Sequence, residues 1–130
     1  MKSLIAVVAG IVVGVVVLSL SEQIGQALLQ MLMGIEPITP QGAAALGIDR
    51  PAESLAVVVA ACFLGPLAGG YVAGRLAPAQ PLAHAGGVGA FQMILAVIGL
   101  VLFPQPLWFT FATVVAVALG PLVGASLSRV

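Results

Sequence analysis

The chain reads as an all-α protein, an integral membrane four-helix bundle with both termini cytoplasmic. Three features carry that reading. Four apolar segments, residues 4 to 33, 51 to 76, 81 to 103 and 106 to 128, each reach the ~20 residues that a helix needs to cross a hydrocarbon core about 30 Å thick. Among the charged residues only Glu22, Glu53 and Arg75 fall inside them. The composition agrees: 62% hydrophobic and 6% charged residues, with a mean hydropathy of +1.25, lie far from the soluble average. A water-soluble fold of 130 residues could not hide so much apolar surface.

Residues 1–130 form one transmembrane domain in this reading. Four cations and four anions sum to zero, so there is no basic patch for nucleic acid, and the expected surroundings are membrane lipid. Cys62 is the only cysteine and forms no disulfide within the chain.

The first span begins after Lys2, and its helical periodicity runs on to about Met33. Ser19-Leu20-Ser21 resembles a small-residue cleavage site, but the continuing periodicity favours a helix that is retained. Gly34 to Arg50 is the longest polar interruption and is expected on the outer side. Glu36-Pro37-Ile38-Thr39-Pro40 cannot continue a helix, and Ala43 to Leu46 has room for a single turn. Asp49 or Arg50 is expected to cap the second span, with Pro51 in its first turn and Glu53 near its positive end. The remaining connections, Pro78-Ala79-Gln80-Pro81 and Phe103-Pro104-Gln105-Pro106, are short enough to make the joined helices antiparallel neighbours.

Orientation follows from the few cations. With four spans both ends share a side, and that side holds Lys2, Arg75 and Arg129 against Arg50 in the outer loop. The expected location is therefore the cell inner membrane, as a multi-pass protein.

Spans two and four share a pattern. Leu64-Gly65-Pro66-Leu67 precedes Arg75 as Leu119-Gly120-Pro121-Leu122 precedes Arg129, which points to two helical hairpins repeated in parallel. Each proline removes a backbone hydrogen bond, to the carbonyl of Cys62 or of Val117. Small-residue pairs at Gly65/Gly69, Gly70/Gly74, Gly86/Ala90 and Gly120/Gly124, with Gly10 and Gly14 on the first span, are expected to bring helix backbones close together.

Polar residues in the spans are sparse and therefore informative. Ser19, Glu22, Gln23, Gln26 and Gln30 share one arc of the first helix, on roughly the opposite side from Gly10, Gly14 and Gly25. Glu22 is the one acid well inside a span, and Gln92 lies near the middle of the third span, where interhelical pairing is expected to supply its hydrogen bonds away from bulk water. Glu22, Gln26, Gln105 and Thr110 are expected to converge near the outer face as a polar cluster without a counter-ion. His84 stands alone, with no cysteine or carboxylate at ligand spacing, so neither a metal nor a cofactor is expected.

Taken together, several motifs resemble a group of small four-helix bacterial membrane proteins. They are Glu22 with Gly25, the proline-containing outer loop, Gly69-Gly70 with Ala73 and Arg75, Pro81-Leu82 with His84-Ala85, and Pro104-Gln105-Pro106-Leu107-Trp108-Phe109. The resemblance implies a fold and a compartment, not an activity. The pattern tends to carry histidine where this chain has Gln26 and Gln105, so no metal or proton role carries over to those positions.

No nucleophile is paired with a base and no phosphate-binding loop is present, so an enzyme is the least expected class. A structural or accessory subunit, in a homo-oligomer or a larger membrane complex, is the expectation. A small oligomeric transporter or channel using the polar face of the first helix is the alternative.

Overall fold

The computed structural model describes residues 1–129. It contains five helices: α1 (Lys2–Met33), α2 (Pro40–Leu46), α3 (Ala52–Leu76), α4 (Pro81–Leu102) and α5 (Leu107–Ser128). All but α2 are long and apolar enough to cross a membrane, which suggests a multi-pass membrane protein. The short α2 starts earlier than the single turn expected from sequence, because the Thr39 hydroxyl accepts from Gly42 N–H at 3.0 Å and Pro40 suits the first turn. Gly47, at φ 66°, then ends it in a left-handed conformation that glycine adopts without penalty. At the start of α3 the cap position is Pro51, and neither Asp49 nor Arg50 caps it with a side chain.

The four long helices run alternately up and down. α3 packs against the other three, α4 also touches α1 and α5, and among the described residues α1 and α5 make no close approach to each other. Glycines fix the two principal contacts. A Cβ built on Gly10 would lie 2.6 Å from the Gly69 carbonyl, and one on Gly65 would lie 2.7 Å from the Gly14 carbonyl, so α1 and α3 meet nearly backbone to backbone. A Cβ on Gly120 would lie 2.7 Å from the Phe63 carbonyl and 3.0 Å from Pro66 Cβ, and one on Gly124 would collide with the Leu67 carbonyl.

Those partners increase in number together along α3 and α5, so the two helices are parallel. Their Gly-Pro segments therefore meet face to face, as two hairpins repeated in parallel would require. Two arginines tie the same ends together: Arg75 donates to the Ser128 carbonyl and Arg129 to the Ala77 carbonyl, each at 3.2 Å. A cation at a helix C-terminus is favoured by the helix dipole, and here each arginine serves its neighbour's end.

Packing is tight toward the chain termini and looser toward α2. Ala6, Ala73, Ala85 and Val88 are fully buried at the terminal end. On α4 burial stops at Gln92, beyond which Ile94, Leu95, Val97, Ile98, Val101 and Leu102 are exposed. Small residues on facing helices, Cys62 on α3 with Ala96 and Gly99 on α4, leave that end of the bundle incompletely filled.

Candidate functional site

The polar residues gather at the α2 end of the bundle. Glu22, on α1, points toward Arg50, which immediately precedes α3, with Oε1 4.0 Å from Nη2. Arg50 is buried and its Nε has no hydrogen-bond partner in the protein. The pair thus neutralises charge rather than forming a close hydrogen bond. Burial pushes the Arg50 guanidinium below its ordinary value, and the Glu22 carboxylate opposes that shift.

This differs from the sequence expectation of an acid without a counter-ion, with Asp49 or Arg50 as the cap of the second span. Ion pairing across separate elements leaves no local periodicity in a sequence. The signal that was present is stoichiometric: one acid deep in a span and one cation in the loop on the same side.

One turn beyond Glu22, the buried Gln26 donates through Nε2 to the Ser54 carbonyl at 3.1 Å, while its Oε1 has no partner. That bond sets α1 and α3 in register at this end. Glu22 and Gln105 line a common cavity of about 190 Å³, together with Arg50, Cys62, Phe109 and Thr113. Thr110 does not line this cavity; its hydroxyl donates to the Pro106 carbonyl of its own helix at 3.3 Å. Thr113, about one turn further on, reaches the cavity instead and is 3% exposed, with no partner for its hydroxyl.

A second cavity of about 220 Å³ is lined by Val15, Leu18, Cys62, Gln92, Leu95, Ala96 and Val117. Cys62 and Ala96 belong to both. The Gln92 side chain lies against Gly14 of α1, and neither its oxygen nor its nitrogen has a partner in the protein. The interhelical pairing expected of Gln92 is thus absent among the described residues.

The polar arc of α1 also has an outer aspect. Ser19, Glu22, Gln23, Gln26 and Gln30 line an open groove of about 400 Å³ with Pro37. Ser19, Gln23 and Gln30 are exposed along it. Away from this end, His84 Nδ1–H donates to the Gln80 carbonyl at 2.9 Å, which holds the imidazole against the first turn of its own helix.

The packing glycines divide cleanly. Gly10, Gly14, Gly65, Gly69, Gly120 and Gly124 all face neighbouring helices at distances that a Cβ would violate, whereas nothing lies within 4 Å of a Cβ on Gly86 or Gly99.

Comparison of the chain with protein-family models, curated proteins and solved structures finds no match. Support for the resemblance noted from sequence therefore extends to four long apolar helices consistent with a small membrane protein.

Proposed function

We propose that the chain is a small, non-enzymatic, multi-pass protein of the bacterial inner membrane, related to the four-helix proteins that it resembles, and that it works by assembling with other membrane helices. The observation that carries this reading is the unmatched end of α1. Gln26 is level with Ser54, the third residue of α3, so the end of α1 runs past the start of α3 by roughly 7–8 Å at 1.5 Å per residue. Met31, Leu32 and Met33 are 76%, 77% and 60% exposed on this extension, directly beside the polar groove. Methionine-rich apolar surface adapts readily to a partner, and exposed amides near hydrocarbon favour interhelical hydrogen bonds.

The partner is a second copy or a subunit of a larger membrane complex. Purification from native membranes in mild detergent distinguishes them: a stoichiometric companion protein supports an accessory subunit, and a homogeneous small homo-oligomer supports self-assembly. A monodisperse monomer, unchanged when Gln23 and Gln30 are replaced by leucine, would overturn the reading.

A second reading, a small oligomeric transporter or channel, is favoured by one specific observation: Gln92 and Thr113 present unpartnered polar atoms to cavities inside an apolar bundle.

A further inference from the structure

The inner cavity between α1 and α4 carries an inference that goes beyond assembly and rests only on the reading of the chain as a membrane protein. The two helices meet at Gly10 with Val88 and at Gly14 with Gln92, and toward α2 they part. Val15 on α1 and Leu95 on α4 form exposed rims on either side of the gap, and the buried side chains of Cys62, Gln92 and Val117 form its floor. The cavity of about 220 Å³ therefore opens sideways, toward lipid in a bundle that spans a membrane.

The chemistry of the cavity narrows what can fill it. Its lining is almost wholly apolar and both amide atoms of Gln92 are fully buried, so neither water nor a polar solute finds a hydrogen bond there. A further helix is too wide, since one turn of a cylinder 10 Å across occupies roughly 400 Å³. Left empty, the lining forfeits dispersion contacts that a close-fitting apolar group restores. An apolar cavity of ~150 Å³ already holds a benzene molecule, so this one has room for a length of flexible hydrocarbon chain.

The wall toward α2 says which hydrocarbon. Val15, Ser19, Glu22 and Gln26 follow at intervals of four, three and four residues, so they share one face of α1. Ser19, Glu22 and Gln26 line the open groove that continues toward α2, together with Gln23. The face thus turns from apolar to polar within about one helical turn of Val15. Gln23 is exposed and lies eight residues beyond Val15, about 12 Å at 1.5 Å per residue, which approaches half of a hydrocarbon core about 30 Å thick. Order and length both match one lipid of a single leaflet, with its ester region toward the helix end and its chain terminus near mid-membrane. Glu22 and Arg50 offset each other, so the cleft places no demand on headgroup charge.

We propose that the gap between α1 and α4 is a lateral binding site for one acyl chain of a phospholipid from the leaflet at the α2 end. The chain terminus occupies the cavity over Cys62 and Val117, and the ester carbonyls accept hydrogen bonds from Ser19 and Gln23. Gln30 and the exposed Met31, Leu32 and Met33 lie beyond this site and stay free for a partner.

The test places the full chain in proteoliposomes of phosphatidylcholine that carries a photoreactive diazirine near the methyl end of one acyl chain, and locates the adducts by mass spectrometry. Val117 is 1% exposed and Ile94 is 60% exposed, so a chain that stays outside the bundle reaches only Ile94. A seated chain should give at least as much adduct at Val117 as at Ile94. Moving the diazirine to the carbon beside the ester should shift the inner adducts to Ser19 and Gln23. Ala96→Leu, which fills the cavity, should abolish the adduct at Val117 and preserve that at Ile94. Adducts at Ile94 with none at Val117 in the native chain would overturn the site, whether the cavity is empty or closed by a second copy. No adduct at either position would overturn the membrane reading and the site with it. The native chain carries this comparison, so misfolding of the Ala96 variant leaves it intact, and the oligomeric size of the same sample tests assembly separately.

Discussion

Glu22 and Arg50 show how one residue's role depends on a contact between distant parts of the chain. Arg50 is nearly inaccessible, whereas the Glu22 side chain remains 33% exposed, so the arginine depends on the pair more than the acid does. Removing the acid leaves a buried guanidinium without its counter-charge. Glu22→Gln is therefore expected to retain the fold but to lose about 1–2 kcal/mol, less than for a fully buried pair because Glu22 is partly hydrated. In the double variant Glu22→Gln/Arg50→Met the orphaned charge is gone, and stability should return toward that of the parent. Thermal unfolding in detergent, followed by circular dichroism, checks both outcomes. Equal stability of Glu22→Gln and the parent would mean that the pair contributes nothing. Glu22 and Gln26 stand out in the sequence because polar residues are rare in apolar spans, and Gln105 because the turn that holds it is so short. Thr113 and Arg50 could not, since choosing Thr113 over Thr110 requires the rotation of α5, and placing Arg50 requires the path of the loop.

At the scale of elements, glycine placement decides which helices meet. The sequence places the four long apolar helices to within a few residues, because length and hydropathy suffice for that. It also exposed the repeated Gly-Pro segments. It did not distinguish glycines that face a helix from those that face outward: Gly86 belongs to a small-residue pair with Ala90, yet no atom approaches its Cβ position. The contrast gives a direct test. Gly124→Ala should destabilise the fold by about 3 kcal/mol, since its methyl group would strike the backbone of Leu67 and Tyr71 and neither can withdraw without separating α3 from α5. Gly86→Ala should be neutral or stabilising by up to about 1 kcal/mol through helix propensity alone. Chemical or thermal denaturation of the two variants in the same detergent gives the comparison, and similar losses in both would mean that the parallel α3 and α5 contact is not formed.

For the whole molecule, the ion pair sharpens the question of orientation. Counted by sequence alone, three cations at the terminal end face one at the α2 end. Arg50 is buried against Glu22, however, whereas Arg75 and Arg129 lie at the helix ends and Lys2 is exposed at the chain start. The positive-inside bias acts on the chain as it inserts, before this pair forms, and acids contribute little to it, so the expectation of a cytoplasmic terminal end rests on the count of three against one. A cytoplasmic terminal end would direct the Glu22 and Arg50 pair and the projecting end of α1 to the outer face. Gln41 on α2 and Gln80 in the turn before α4 are both exposed, at opposite ends of the bundle. In a Cys62→Ser background, Gln41→Cys should react with an impermeant thiol reagent added to intact cells, and Gln80→Cys should react only after the membrane is opened. The reverse pattern would turn the bundle over and place the α2 end in the cytoplasm. Partial labelling at both positions would mean that the chain inserts in two orientations, with the three cations insufficient to choose between them.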